Sequence, residues 1–548
     1  MDLILKNKNN IMFFTITFLI VFMRFVYYGF NYYPQLDDYI QYYSYREFLG
    51  TVPEIIDKLG LLSARPFAGI MDITFWDYFF DGSMIFAVFL ISIMYTSIAF
   101  IIKKAFENIL NLGKLFIFIF LLLPLGFEGT YWISASSRIV VGMFLASLGI
   151  LFFSLYCEKG KIRYIPLFIV IQFFSFGFYE QVIVFSITGT FLVAIGLYIN
   201  SKISNESINN RIFLSFCTFI NIIFFFVFIL YFKDSSLYSS RLEIILPNEE
   251  GYFDIFLPDI LNQFKEVFIY GNFYTIFKGF IRGLIIIFNN KSILYFIFLL
   301  VFCYFLSTYN KDIEIKNNII LNIVFSILFF VAPLTPFLII GNPWFSFRGA
   351  VISFIGIAIF FDTLFNVLFK NINLRCFILG SIIFIFSVAG ISEIHDYRNN
   401  SIIDKKISEC YIEAIEDYNY TEDMKIGILN INEYNIKNSN YNFHEHISST
   451  AGANWSFLGS CRYFAERFDI PNTFPLHTEG YMYMPYNSEE NNIESFDSLL
   501  WYDNEKNKMF EVFFEKADDK NYKIYNKQNN LFYGTIIDNN GYGIFVFN

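Results

Sequence analysis

What most constrains this chain is a rhythm of apolar runs long enough to cross a bilayer, with clusters of lysine and arginine falling in every second loop. About 20 apolar residues cover the hydrocarbon core of a membrane. Such runs occupy residues 11–30, 84–102, 115–126, 139–157, 164–178, 181–199, 212–232, 293–309, 318–341, 350–369 and 375–391. Two of them, 115–126 and 164–178, are short and draw on flanking residues. The reading is about 11 spans. Basic residues flank them as Lys6 and Lys8, Lys103, Lys104 and Lys114, Lys159, Lys161 and Arg163, Lys202 and Arg211, Lys311 and Lys316, and Lys370 and Arg375. Positive loops stay cytoplasmic, so the N-terminus is expected inside and the segment after the last run outside.

Composition agrees. The chain is 55% hydrophobic and 16% charged, where soluble proteins carry about 25% charged residues. Mean hydropathy is +0.48. Residues 392–548 hold 13 Lys/Arg against 25 Asp/Glu, which leaves 26 against 24 for residues 1–391. The expected fold is mostly α: a polytopic transmembrane helix bundle over 1–391 and an acidic, extracytoplasmic soluble domain over 392–548. In that second part "DKKISECYIEAIEDYN" reads as a helix and "MKIGILNIN" as a strand. The closing "NYKIYNKQNNLFYGTIIDNNGYGIFVFN" reads as strands joined by Asn- and Gly-rich turns, for an α/β or α+β domain. Neither part carries a basic stripe, which sets nucleic acid aside as a partner.

The first run exceeds a signal-peptide core and no small-residue cleavage site follows it, so it reads as a span. Of six cysteines, Cys410 and Cys461 share the acidic tail and are free to pair, though their spacing does not require it. "RPFAGIMDITFWDYFF" (65–80) is apolar but carries Asp72 and Asp77. A crossing there would reverse every later loop, so an interfacial or partly inserted helix is expected. "FYTIFKGFIRGLIIIF", broken by Lys278 and Arg282, suits an interfacial helix in the same way.

The loops on the opposite side collect the unusual residues. "NYYPQLDDYIQYYSYREF" (31–48) sets Asp37 and Asp38 side by side among tyrosines. "LGFEGTYWISASSR" (125–138) holds Glu128, Trp132 and Arg138, "FGFYEQ" (176–181) holds Tyr179 and Glu180, and "GNPWFSFRG" (341–349) holds Arg348. Adjacent carboxylates repel, and partial burial raises the pKa of at least one, which suits proton acceptance from a hydroxyl. The ordinary alternative is a helix that ends in a solvated acidic loop. A charge near the membrane calls for a specific partner, which applies most to Glu180. Arg65, Arg138 and Arg348 read singly as interface anchors, and together as a set that binds an anionic head group through paired guanidinium donors. His395, His444, His446 and His477 all lie at or beyond the last run. The "HEH" at 444–446 supplies two ligands, too few for a metal site.

"LDDY" beyond the first run, "ARPFAG" some thirty residues on, the acidic residue before Trp in "FEGTYW", and "FYEQ" in a later outer turn form a pattern in fixed order. It resembles the GT-C superfamily of integral-membrane glycosyltransferases, and is most similar to bacterial O-antigen-type glucosyltransferases that use polyprenyl-phosphate sugar donors. The motifs cover roughly the first 180 residues, and the layout covers the membrane part. The resemblance implies a catalytic aspartate in the first outer loop, here Asp37 or Asp38. It implies substrate-binding roles for Arg65, Glu128, Trp132, Arg138, Tyr179, Glu180 and Arg348. "ARPFAG" departs from the family's usual Gly-Arg pairing, and the tail has no counterpart in it. The implied reaction moves a hexose, glucose first among candidates, from a polyprenyl-phosphate-linked donor to a cell-surface glycan or lipid-linked acceptor, with inversion. No organic cofactor is implied, and a divalent cation stays open because the superfamily contains enzymes of both kinds. The competing expectation is a transporter or flippase built around Asp362, and a scaffold anchored by the runs is a third.

Overall fold

The structure is a computed structural model and describes residues 8–44, 65–80, 82–201, 211–231, 244–309, 319–341, 344–431, 448–477, 493–518, 521–539 and 542–547. The chain divides into two compact units, Met1–Tyr32 with Gly50–Ile394, and Tyr33–Leu49 with His395–Asn548. The C-terminal part of the second unit begins at His395. More consequentially, the segment after the first run belongs with the tail and not with the helical unit.

Among the described residues of the helical unit and its continuation, seven helices are long and apolar enough to cross a membrane. They are Met84–Ala105, Ile133–Lys159, Glu180–Asn200, Tyr252–Asn289, Ile319–Leu338, Phe347–Leu368 and Ile372–Tyr418. Four apolar helices are shorter: Asn10–Phe25, Tyr164–Phe176, Phe213–Phe228 and Ile293–Thr308. The run 115–126 becomes the helix Lys114–Leu122 and a single turn, Pro124–Gly126. Among the described residues, membrane-length helices number seven, six of them on runs expected to cross.

Lys114–Leu122 shows what a short buried helix demands. Leu123 is extended before Pro124, which ends the helix. Its terminal N–H and C=O groups need partners from elsewhere. At one end Asp362 accepts from Gly113 N at 2.8 Å and from Phe116 N at 3.2 Å. At the other, the buried Arg24 donates to Leu121 O at 3.1 Å and to Leu122 O at 3.2 Å. Elsewhere small residues bring helices together. Gly142 lies against Phe178 and Val182, and Ser154 donates to Ala105 O at 2.8 Å. Buried Gln172 donates to Ser186 and Thr190 and accepts from Asn221, tying three helices through one amide.

Tyr252–Asn289 corrects the expectation of a loop with one interfacial segment. It is a single helical run of about 57 Å, loosened by π turns at Tyr252–Phe256, Glu266–Gly271 and Tyr274–Lys278. Its length and composition would allow a crossing, yet its contacts point another way. Tyr252 donates to Leu338 O at 2.9 Å, Gly271 lies against Phe347 and Leu125, Gly283 against Val388, and Asn290 reaches the Tyr28 hydroxyl. These partners sit at the end of the unit away from Lys103, Lys104, Lys114 and Arg375. The run therefore lies along that end. Segment 65–80 is also helical, as Pro66–Met71, a π turn Asp72–Trp76, and Asp77–Phe80. At about 22 Å it is shorter than the hydrocarbon core, and it buries Asp72 and Trp76.

The second unit is built on a seven-stranded sheet of β1 (Lys425–Ile431), β2 (Asn472–His477), β3 (Ser498–Asp503), β4 (Lys508–Lys516), β5 (Asn521–Asn526), β6 (Phe532–Asn539) and β7 (Tyr542–Phe547). Its order is β2-β1-β3-β4-β5-β6-β7, with β1 parallel to both neighbours and the remaining pairs antiparallel. Alternate residues face opposite sides. Ile426, Ile428 and Leu500 meet Tyr411 and Ile415 of the helix Ile372–Tyr418 and Phe457 of the helix Asn454–Ala465 on one face, while Leu429, Leu499, Trp501 and Ile524 form a second apolar layer on the other. Cys410 and Cys461 are not bridged. Cys410 donates to Asn507 O at 3.0 Å, and burial pushes both thiols up.

A Cβ at Gly283 would stand 2.1 Å from Val388 O, whereas one at Gly380 would meet nothing nearer than 3.4 Å. Gly283→Ala should cost about 1–3 kcal/mol and lower the melting temperature of the detergent-solubilised protein, with Gly380→Ala nearly neutral. In the second unit, burial pushes the Glu511 carboxyl up, but hydrogen bonds from Lys527, Tyr420 and Ser498 outweigh it and hold the carboxyl below its ordinary value of 4.5. Its contribution is therefore complete above about pH 4.5 and is lost as pH falls through the lowered folded value. Glu511→Gln should flatten that part of the acid-unfolding curve, followed by circular dichroism.

Candidate functional site

The end of the helical unit where Tyr252–Asn289 lies also gathers most of the outer-loop residues. Pro66 opens a helix, and the N–H groups of Phe67 and Ala68 both donate to Gly177 O, at 3.0 and 3.1 Å. That carbonyl stands where a capping side chain would, and it fixes Arg65 beside the turn "FGFYEQ". Arg65 then meets Glu180 in a paired-donor ion pair, Nε to Oε1 at 3.0 Å and Nη2 to Oε2 at 2.9 Å. Its guanidinium also lies 4.1 Å from the ring centre of Tyr179, close enough for a cation–π contribution.

Two turns further along the same helical segment, Asp72 begins the π turn. Its carboxylate accepts from Arg138 Nη2 at 3.1 Å and from Ser137 Oγ at 3.3 Å. The pair is nearly enclosed, at 10% and 3% side-chain exposure. A π turn inserts an extra residue into the helix and is found often at functional sites. Here it places Asp72 and Trp76 on the buried side of a segment whose sequence reads as ambiguous.

A third grouping forms around Glu128, which starts the turn Glu128–Tyr131 and is buried. Gly129 packs directly on the backbone of Arg348, whose guanidinium lies 5.0 Å from the Trp132 ring centre. Gln181 fastens this turn to the Glu180 helix, donating to Gly349 O at 3.0 Å and to Pro333 O at 2.9 Å. Ile133 N donates to the Tyr32 hydroxyl at 2.9 Å. Thus Arg65, Glu128, Trp132, Arg138, Tyr179, Glu180 and Arg348 share one end of one unit. The arginines differ from the expected open cationic set, because Arg65 and Arg138 are each matched by a carboxylate.

Asp37 and Asp38 lie in the second unit. They open the short helix Asp37–Gln41. Asp38 is fully buried and its carboxylate accepts from Gln35 N at 3.0 Å. Tyr39 packs against the tilted rings of Tyr463 and Phe464, and burial first, then Asp404, Tyr463 and Asp38, push its phenol well up. Leu36, directly before Asp37, takes φ 31°, a strained region for a leucine that costs about 1–3 kcal/mol and clusters at functional positions. The doublet is therefore not a solvated loop; its two members have different surroundings.

Sequence reasoning passed over Arg24 and Gln181. A single polar residue near a helix end carries no periodic signal, so only the packed structure shows what each one holds. His444 and His446 lie outside the described residues. Among the described residues no three His, Cys, Asp or Glu side chains are grouped to hold a metal ion. Neither protein-family models nor curated proteins give a match to this chain.

The Arg65–Glu180 pair should behave as one unit. In a double-mutant cycle with Arg65→Ala and Glu180→Ala, thermal unfolding should show a coupling of about 1–3 kcal/mol. Arg65→Ala combined with Asp72→Asn should come closer to additive.

Proposed function

We propose that this chain is a polytopic membrane glycosyltransferase. It transfers a hexose from a polyprenyl-phosphate-linked donor to a hydroxyl of a cell-surface glycan or lipid-linked acceptor on the extracytoplasmic face. The observation that carries the reading is the gathering of two ion pairs, Arg348, and the rings of Tyr179 and Trp132 at the end of the helical unit remote from the basic clusters. A sugar offers hydroxyls to carboxylates and a C–H face to flat rings. A lipid phosphate offers oxygens to guanidinium. In this reading the arginines together hold the phosphate, and the carboxylates Glu180 and Asp72 orient sugar hydroxyls.

The reaction is a single displacement. The acceptor oxygen bonds to the sugar C1, the C1–O(phosphate) bond breaks, its electron pair leaves with the lipid phosphate, and the acceptor proton passes to an aspartate. The resemblance implies Asp37 or Asp38 as that base. Alternation of the basic loops orients the N-terminus toward the cytoplasm and the second unit outward, and Tyr252–Asn289 then lies along the outer interface.

The transporter reading would lean on Asp362. That carboxylate instead receives Gly113 N, Phe116 N and Asn366 Nδ2, the work of a helix cap.

Membranes containing the full chain, supplied with radiolabelled polyprenyl-phosphate hexose and acceptor glycan, test the proposal. Asp37→Asn or Asp38→Asn should lower transfer by about 10²–10⁴-fold per unit of protein. Undiminished transfer in the Asp37→Asn, Asp38→Asn double variant would overturn it.

A further inference from the structure

The helical run Tyr252–Asn289 carries two unlike stripes, neither of which takes part in the reaction proposed above. On the side packed against the unit, Gly271, Thr275, Gly279 and Gly283 recur at every fourth residue and are buried. Gly271 lies against Phe347 and Leu125, Gly279 against Ala389, and Gly283 against Val388. On the other side Ile269, Phe273, Phe277, Ile281 and Ile285 recur with the same spacing, and each is more than half exposed. An α-helix turns every 3.6 residues, so a four-residue repeat would drift by about 40° per step. The π turns Glu266–Gly271 and Tyr274–Lys278 hold more residues per turn, offset that drift and keep each stripe on its own face.

The outer stripe spans about 24 Å with no charged or amide side chain in it. Earlier in the run the exposed positions are different: Asp254, Asp259, Asn262 and Lys265 face outward there. Membrane helices approach one another through small residues, and those of this run are already seated on the buried side. A bulky Phe/Ile stripe is a poor seat for a second helix and a good one for fluid chains. Phe288 meets Phe296 at 5.8 Å, which joins the end of the run to the apolar helix Ile293–Thr308, whose Leu294, Ile297 and Val301 are exposed as well. The stripe thus continues an apolar surface already long enough to face lipid.

We infer that Ile269, Phe273, Phe277, Ile281 and Ile285 are set among the phospholipid acyl chains of the outer leaflet, with residues 252–265 at the level of the head groups. The run is then an in-plane anchor whose apolar face lies about 5–10 Å into the boundary between head groups and chains. Because Gly271 rests on Phe347 and Leu125, the anchor also sets the depth of the neighbouring turns that carry Glu128 and Arg348.

The test uses the full chain in phosphatidylcholine vesicles, with the photoreactive analogue p-benzoylphenylalanine placed at Phe273 or Phe277, where it keeps the ring, or at Asn262 as the control. After irradiation, mass spectrometry of the intact chain should find a phosphatidylcholine adduct at Phe273 and at Phe277, several-fold more abundant than at Asn262. Fragment ions should place the new bond in the upper half of the acyl chain. Cross-links to a second copy in place of lipid, no lipid adduct at either position, or equal capture at Asn262 would overturn the inference. Bonds near the chain ends, as a helix crossing the bilayer would give, would overturn it too. The choice of leaflet rests on the orientation proposed above, whereas capture of acyl chains does not, and no readout involves sugar transfer.

Discussion

The interaction on which the rest of the helical unit depends is the capping of backbone ends that have no water to turn to. An unsatisfied N–H or C=O in an apolar surrounding costs several kcal/mol, so a helix as short as Lys114–Leu122 needs both termini filled. Asp362 fills one and Arg24 the other. Each comes from a different helix, Asn10–Phe25 and Phe347–Leu368, so one short segment fixes the positions of two longer ones. Arg24 also lies against Gly390, which brings the Ile372–Tyr418 helix into the same frame. Two charges that look misplaced in apolar sequence are thus the pins of the unit.

The functional end follows from the same economy of polar groups. Gly177 O caps the Pro66 helix, and the Gln181 side chain donates to the carbonyls of Pro333 and Gly349. These bonds hold Arg65 beside Glu180 and Arg348 beside Trp132. The outcome is a site in which Arg65 and Arg138 are each matched by a carboxylate and aromatic faces lie beside Arg65 and Arg348. Pairing also keeps the buried guanidinium groups solvated by protein, the condition under which an ion pair of low exposure is tolerated.

The second unit obeys soluble rules. Its strands alternate between two apolar layers, its helices cover one of them, and its buried carboxylates are met by hydroxyls and amides, as Asp404 is by Ser449 Oγ and Thr450 N. The surprise is that residues 33–44, which follow a membrane run in sequence, pack with Tyr463, Phe464 and Phe468 of this unit. Gly459 allows the close approach, with Ile40 and Tyr39 against its backbone. An aspartate doublet that sequence order assigns to a membrane loop thereby becomes part of the sheet-bearing unit.

Much was legible in the sequence because it rests on local chemistry. Apolar runs, alternate basic loops and the period-two pattern near the C-terminus gave the helical part, the acidic tail and most of its strands. The residues Arg65, Glu128, Arg138, Glu180 and Arg348 stood out because charge beside apolar sequence is expensive wherever it falls. What tertiary structure alone decided was partnership. It paired Arg65 with Glu180 and Arg138 with Asp72, spent Asp362 on a backbone, separated Cys410 from Cys461, and turned Tyr252–Asn289 along one end. A residue's hydropathy and its neighbours in the chain fix the cost of burying it. Only the three-dimensional packing, which joins positions more than a hundred residues apart, determines which group offsets that cost.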